Sequence, residues 1–203
     1  KSRVSGVFNT SEIYDLRKIY HTNICYISLK NKALKDPKTT YIQFTVNPFR
    51  RAVSSYIHQM KYNYCNIDKN DISFSRFLNR LKKNKLPYDI HHNMQYSYLE
   101  NEGKKINYIK MENFDKKYEK FNKKFDLNFK LIEKKKHNSH STDNDYYKKF
   151  VGNMKWSKIE GKIPKNYKYF YNSENKQKVA EIYSKDLQTF NYNWKGFIDK
   201  EDE

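Results

Sequence analysis

Hydrophobic and polar positions in the middle of the chain change from a strand pattern to a helix pattern within a few residues. Residues 41–46 (YIQFTV) are rich in β-branched and aromatic side chains, which predicts a strand, and Asn47-Pro48 ends it. Pro48 suits the first turn of a helix. The apolar positions that follow share one helical face: Val53, Tyr56, Ile57 and Met60. The pattern predicts a strand that turns directly into an amphipathic helix.

The same reading predicts elements on both sides of this unit. Helices are predicted over residues 9–20, 72–83, 113–125 and 173–189, with a further helix from His91 to Leu99. Strands are predicted over 23–29 and 106–111, and polar loops over 30–40 and 133–145. No linker or internal repeat divides the chain, so we expect a single domain over residues 1–203.

The alternation of strands and helices predicts the fold class. At least three short strands interleaved with helices indicate an α/β fold with a parallel sheet flanked by helices. Ligands of such folds bind beyond the carboxyl ends of the strands. A functional site is therefore expected where the strands at 41–46 and 106–111 end.

Composition adds a strong positive charge. The 203 residues include 41 Lys and Arg against 23 Asp and Glu, a formal charge of +18, and 17% of them are aromatic. This aromatic content is too high for a disordered chain, and the charge favours an anionic ligand. Stacking on single-stranded nucleic acid is the alternative that charge and aromatics permit. No nucleic-acid partner is expected, because no binding-module motif appears and the basic residues are spread along the chain.

Other classes lack their sequence signals. No apolar run approaches the roughly 18 residues of a membrane span, so no membrane contact is expected within this segment. Two cysteines, Cys25 and Cys65, are too few for a disulfide framework or a four-cysteine zinc site. No metal-binding spacing occurs, and no metal is expected. The low cysteine content favours a reducing, cytoplasmic location.

The first turns of the helix that begins at Pro48 carry groups suited to phosphate. Arg50, Arg51 and Ser54 lie there, where backbone N–H groups and the helix dipole favour an anion. Arginine can place two N–H groups on phosphate oxygens. The alternative is an ordinary strand–helix connection with solvated arginines.

Residues 41–56 also resemble the 3′-phosphate motif of PAPS-dependent sulfotransferases, especially the carbohydrate (family 2) branch. That motif is a strand followed by V-R-N/D-P-x-x-R-x-x-S-x-Y. The positions in register are Thr45, Asn47, Pro48, Arg51, Ser54 and Tyr56. Val46 stands where the family has its phosphate-binding arginine, which removes a charged contact of about 1.5–3 kcal/mol. Either Arg50 or a basic loop substitutes, or the donor binds weakly, or the protein is inactive.

Three later segments resemble the family in its own order. HHNMQ, residues 91–95, is similar to H-x-x-P-Q with Met94 in place of proline. Residues 106–118 are similar to its strand–E–N/D–helix segment, and residues 183–192 to its closing Y-x-x-D-F-x-x-F-x-Y. The resemblance thus covers most of residues 41–192.

The resemblance implies a P-loop-type sulfotransferase fold and a function. The donor would be 3′-phosphoadenosine 5′-phosphosulfate (PAPS), the product adenosine 3′,5′-bisphosphate (PAP), and the acceptor a carbohydrate hydroxyl, with an acidic glycan suited to the basic charge. No metal is required. A Golgi-lumen location is the alternative if an anchor precedes this segment. The oligomeric state is not predicted.

The N-terminus resembles the family's 5′-phosphosulfate loop. Residues 1–6, KSRVSG, fit K-x-x-x-S, so the family's first strand would precede Lys1. The resemblance implies that Lys1 neutralises the transferred sulfuryl group. Ser5 and the backbone N–H groups of its neighbours would bind the 5′-phosphate; those neighbours include Ser2, Arg3 and Gly6. The alternative is a chain end with no such role.

Transfer to a sugar hydroxyl needs a general base, and histidine is the usual one. Tyr20-His21-Thr22-Asn23 resembles the Y-H-x-H segment of heparan uronosyl 2-sulfotransferases, with Asn23 in place of the second histidine. His21 is therefore the first candidate for the catalytic base and His91 the second. The alternative for each is a histidine with no catalytic role.

The densest cationic run, residues 133–144 (EKKKHNSHSTDN), resembles the basic loop that closes over the donor in family members. The resemblance implies that Lys135 and Ser139, with their neighbours, contact the nucleotide phosphates. The alternative is a solvated loop, which is the usual role of a lysine run.

Overall fold

The computed structural model describes residues 34–62, 68, 72–86, 91–96, 100, 103–114, 118–126 and 149–201. The predicted helix at 9–20, the strand at 23–29 and the basic loop at 133–145 lie outside these residues. No helix within the described ranges is long and apolar enough to span a membrane.

Two parallel strands pair in the described part of the chain. Strand β1 runs from Tyr41 to Thr45 and strand β2 from Ile106 to Lys110, with Tyr41 opposite Ile106 and Thr45 opposite Lys110. Parallel neighbours require a long crossover, which here carries helices. The strands predicted at 41–46 and 106–111 are confirmed, and their carboxyl ends meet at one edge.

The helices follow largely as the apolar spacing predicts. The first two are α1, Pro48–Tyr62, and α2, Phe74–Lys82. The others are α3 Tyr118–Phe125, α4 Trp156–Ile159, α5 Ser173–Ile182, α6 Ser184–Phe190 and α7 Trp194–Glu201, with 3-10 helices at Met111–Asn113 and Tyr167–Phe170. The predicted helices at 48 onward and 72–83 are confirmed.

An aromatic core holds the helices against one another. The predicted inward face of α1 is fully buried, with the Tyr56 ring at its centre. Four rings surround Tyr56 at centroid distances of 5.6–6.1 Å: Phe74, Phe77, Trp156 and Phe170. Three of these pairs are edge-to-face, a geometry that adds about 0.5–1.5 kcal/mol each to the burial. This packing fixes α1, and so fixes the residues at its first turn.

Three helix predictions are wrong in part. Residues 91–96, predicted as helical, form turns and bends. Of the helix predicted over 113–125, the described residues are α-helical at Tyr118–Phe125, whereas Asn113 ends a 3-10 helix. The helix predicted over 173–189 breaks at Tyr183, whose ψ of 27° separates α5 from α6. The 91–96 segment bonds to the side chains of Tyr183 and Asp186, which lie at this break and just after it.

Candidate functional site

The carboxyl ends of β1 and β2 bring three polar side chains together. Thr45, the last residue of β1, is buried, and its hydroxyl lies 3.2 Å from the Tyr192 hydroxyl. Tyr192 donates a hydrogen bond to Glu112 Oε2 at 2.9 Å, just after β2. Burial raises the pKa of the Tyr192 phenol well above its usual value, and the nearby Glu112 carboxylate adds to the shift. The phenol therefore stays protonated and acts as a donor at neutral pH.

Asn47 connects this cluster to α1. Its backbone N–H donates to Glu112 Oε1, and its side-chain Nδ2 donates to the Asn193 carbonyl at 3.1 Å. Its Oδ1 accepts the Phe49 N–H at 3.1 Å, which caps the helix. One buried asparagine thus ties together β1, the start of α1, and the chain that follows α6.

These contacts change the phosphate site expected at the start of α1. Pro48 has no N–H, the Phe49 N–H donates to Asn47, and the Arg51 N–H donates to the Asn47 carbonyl at 2.9 Å. The Glu112 carboxylate also lies at this helix end, where its charge is favourable to the dipole but repels an anion. Three of the first four positions of α1 therefore offer a phosphate no N–H group, and binding near α1 would depend chiefly on side chains.

The predicted phosphate-binding side chains of α1 lie on separate contacts. Arg51 donates from Nη1 to the Asn93 carbonyl. Arg50 is exposed and stacks over Tyr167, with its guanidinium carbon 5.6 Å from the ring centroid. Ser54 is half-buried, three residues after Arg51, so the two share a face of the helix. Arg51 and Ser54 are the predicted donor-binding residues that the structure brings together.

The 91–96 loop, residues 91–96, runs along α1 and is fixed by side chains from distant elements. Three consecutive carbonyl oxygens each accept one such bond: His91 from Ser55 Oγ, His92 from the Tyr183 hydroxyl at 2.7 Å, and Asn93 from Arg51. These bonds hold the loop against α1 and against the start of α6.

Gln95 extends the strand pattern past the end of β1. Its side-chain amide accepts the Val46 N–H and donates to the Val46 carbonyl, both at 2.8 Å. The fully buried Asp186 carboxylate accepts the backbone N–H groups of Gln95, at 2.8 and 2.9 Å, and of Tyr96, at 2.8 Å. The loop is thus held at the position where the family has its phosphate-binding arginine.

His91 lies away from the strand ends. Its ring stacks on His58 with centroids 3.9 Å apart, beside the later turns of α1. The other end of the 91–96 loop, at Gln95, is the end that reaches β1. The role of His91 as the catalytic base stays a prediction. It would require the acceptor hydroxyl to lie alongside α1.

Most predicted site residues lie outside the described ranges. These are Lys1, Ser2, Arg3, Ser5, Gly6, His21, Lys135 and Ser139. Among the residues the structure does describe, no group of three or more His, Cys, Asp or Glu side chains could hold a metal ion.

Four residues around the strand ends had no individual role predicted from the sequence. Glu112, Tyr192, Gln95 and Asp186 all lie within the family-like segments, but only as parts of motifs. The signal for Glu112 was its place directly after a strand. Nothing in the sequence indicated that Asp186 would bond to Gln95, because 91 positions separate them.

The comparisons with known proteins agree with these motifs. A model of the sulfotransferase family matches residues 13–193. No curated protein and no solved structure matched the chain.

Proposed function

The chain belongs to the sulfotransferase family, and from this we propose that it transfers a sulfuryl group from PAPS to a carbohydrate hydroxyl. The observation that carries the proposal is the family match over residues 13–193, which includes β1, α1, β2 and the Tyr192 cluster. An acidic glycan is the acceptor that best suits a chain of charge +18.

The described residues fit the donor in part. Ser54 can donate its hydroxyl to the 3′-phosphate. The Arg51 guanidinium carries five N–H donors, one of which goes to Asn93, and it faces the same side as Ser54. Val46 stands at the position where the family motif has an arginine, so the phosphate would have one cation fewer than that motif supplies.

The rest of the donor site is assigned by resemblance. Lys1, Ser5 and the neighbouring N–H groups would hold the 5′-phosphosulfate, and Lys135 and Ser139 would contact the phosphates from the basic loop. His21, or His91 as second candidate, would take the proton of the attacking hydroxyl. Catalysis would then consist of positioning two substrates in line and stabilising the charge on the sulfuryl oxygens.

The strand-end cluster would act by positioning. Tyr192 donates to Glu112, Glu112 accepts the Asn47 N–H, and Asn47 caps the first turn of α1. Ser54 and Arg51 are therefore presented from a fixed helix, which lowers the entropy lost when a nucleotide binds.

The first test is calorimetric titration with PAP. We expect micromolar binding that weakens at least tenfold in Ser54→Ala and in Arg51→Lys, which keeps the charge but loses the planar donor pair. Ser157→Ala, at an exposed serine of α4, and Arg80→Lys, on α2, are the matched controls and should bind as the unchanged protein does.

A second assay follows the transfer itself. Sulfur-labelled PAPS is incubated with acidic and neutral polysaccharides, and label in the polysaccharide is counted. Absence of PAP binding at millimolar nucleotide would overturn the donor assignment. PAP binding without transfer to any carbohydrate would overturn the enzyme assignment.

The second candidate function is nucleotide binding without turnover, and Val46 favours it. An inactive member would retain PAP binding through Ser54 and Arg51 while failing to transfer label. The same pair of assays therefore separates the two functions.

A further inference from the structure

The outward face of α2 forms a basic groove. Arg76, Asn79, Arg80 and Lys83 recur at helical spacing on this face, and together with Lys85 they line a shallow cavity of about 480 Å³. We call these five residues the α2 groove. None of them belongs to the proposed donor site.

Burial of the opposite face makes α2 a fixed platform. Phe74, Phe77 and Leu78 are fully buried in the aromatic core. The Ser73 hydroxyl accepts the Arg76 N–H at 3.3 Å and caps the first turn. The cationic side chains therefore project from a backbone whose position is set by packing.

A helix-end turn brings the fifth residue back to the groove. Asn84 adopts a left-handed conformation, with φ of 51°. The Lys85 N–H donates to the Arg80 carbonyl at 2.9 Å, and the Asn84 N–H donates to the Leu81 carbonyl at 3.0 Å. This is the Schellman arrangement. It reverses the chain direction at the end of α2, so that Lys85 lies beside Arg80.

The groove keeps its positive charge. Among the residues that the structure describes, its lining contains four cations, one amide and no carboxylate. The adjacent Lys82 forms an ion pair with Glu181 at 2.6 Å, on the flank that faces α5. Within the described part of the chain, no such ion pair involves Arg80, Lys83 or Lys85. A cluster of this kind concentrates anions locally.

The shape and chemistry of the groove indicate the class of anion. Positions 76 to 83 span ~10 Å along a helix axis, too far for one small anion to reach every cation. The described lining residues include no aromatic side chain on which bases could stack, and no apolar side chain that could enter a membrane. Arginine guanidinium groups pair well with carboxylate and with other oxyanions such as sulfate.

We propose that the α2 groove binds a stretch of anionic polysaccharide through successive sulfate or carboxylate groups. It is a binding site apart from the nucleotide site, and its use as a docking site for the acceptor chain rests on the proposed function. Binding there would hold a long acceptor on the protein between transfers and would favour polysaccharides over short sugars.

The test measures binding of fluorescein-labelled heparin to the full chain by anisotropy. The groove variant is Arg80→Glu with Lys83→Glu. The control is Lys120→Glu with Lys123→Glu, two exposed lysines of α3, which changes the net charge equally. We expect the groove variant to bind heparin at least tenfold more weakly, and the control less than threefold. The slope of log affinity against log salt should fall by about two in the groove variant.

Other results would overturn the proposal. Equal losses in the two double variants would mean that only net charge attracts heparin. Tighter binding of oligo-dT than of heparin, lost in the groove variant, would assign the groove to nucleic acid, and preferential binding of anionic lipid vesicles would assign it to a membrane. If the groove variant fails to fold by circular dichroism, Arg80→Gln with Lys83→Gln replaces it, matched to Lys120→Gln with Lys123→Gln.

A PAP titration of the same variants separates this proposal from the proposed function. Retained PAP affinity in the groove variant, with lost heparin affinity, would support two separate sites. The opposite result is that neither the unchanged protein nor any variant binds PAP, while heparin binding still depends on the groove. This would contradict the sulfotransferase activity but would still support the groove as a polysaccharide-binding site.

Discussion

At the scale of single residues, Asp186 is the buried charge on which the 91–96 loop depends. Its carboxylate accepts two backbone N–H groups and has no exposure to solvent. Asp186→Asn keeps the shape of the side chain but removes its negative charge. It also replaces one accepting oxygen with an NH2 group, which would face the backbone N–H groups of Gln95 and Tyr96. We expect the free energy of unfolding to fall by ~1.5–3 kcal/mol, measured by urea denaturation.

Asp126→Asn is the control for that change. Asp126 is exposed and left-handed, a conformation that asparagine also tolerates. We expect a change within about 0.5 kcal/mol. Equal effects at the two positions would contradict the assignment of Asp186 as the loop anchor.

Val46 stands where the predicted 3′-phosphate motif would have an arginine. The Gln95 amide contacts Val46 through its backbone N–H and carbonyl, and the Val46 side chain is half-buried, so a longer side chain need not break these bonds. Val46→Arg restores the family cation and should tighten PAP binding at least tenfold, since a charged hydrogen bond contributes ~1.5–3 kcal/mol. Calorimetry measures it.

Val46→Met is the matched variant, because it lengthens the side chain without charge. It should leave PAP affinity near that of the unchanged protein. A gain in the methionine variant equal to that in the arginine variant would show that packing, not charge, limits the affinity.

At the scale of elements, Asn47 decides where α1 begins. Asn47→Ala removes the cap on Phe49 and the bond to Asn193. We expect a loss of about 2–3 kcal/mol in the free energy of unfolding, which combines a cap of ~1 kcal/mol with a second buried hydrogen bond. Thermal or urea unfolding measures it.

Asn172→Ala provides the comparison, because Asn172 caps α5 through the Asn175 N–H at 2.8 Å. A loss of only ~1 kcal/mol is expected there. If both variants lose the same amount, the link from Asn47 to Asn193 contributes nothing to stability.

Local pattern predicted the elements whose hydrogen bonds stay within them. The strand and helix on either side of Pro48 were predicted because their side-chain period and the proline break act on neighbouring residues. The turns at 91–96 and the break at Tyr183 were both missed. The 91–96 loop bonds to residues that lie 36 to 91 positions away along the chain. Local spacing carries no information about such pairs, although the family motifs marked both segments.

In the candidate site, too, local features were predicted from the sequence and long-range hydrogen bonds were not. Arg51 and Ser54 follow from the strand–helix motif, and the structure places them on one face of α1. The strand-end cluster of Thr45, Glu112 and Tyr192 could be located from the rule that parallel strands end at one edge. Its hydrogen bonds could not, because they depend on how α6 returns the chain to that edge.

At the scale of the whole molecule, several tyrosine side chains are buried, and their phenols make the free energy of unfolding depend on pH in the alkaline range. Burial raises the pKa of Tyr56, Tyr183 and Tyr192 above the usual value of about 10. Above pH 10 the unfolded chain loses phenol protons that the folded chain keeps. The unfolded state then binds fewer protons, so the free energy of unfolding falls as pH rises.

Each such tyrosine should contribute a fall of ~1.4 kcal/mol per pH unit above pH 10. Urea denaturation between pH 7 and 11.5 measures the slope.

Tyr183→Phe should lower the free energy of unfolding by ~1 kcal/mol at pH 7, because its bond to the His92 carbonyl is lost, yet it should make the alkaline slope shallower. Tyr56→Phe should also make it shallower, with a small cost at pH 7, because its bond to Ile72 is long at 3.4 Å. Lysine deprotonation occurs in the same range in every variant, so the difference between slopes is the quantity that decides. Unchanged slopes in both variants would mean that the phenols reach water before the protein unfolds, and that the aromatic core opens locally at high pH.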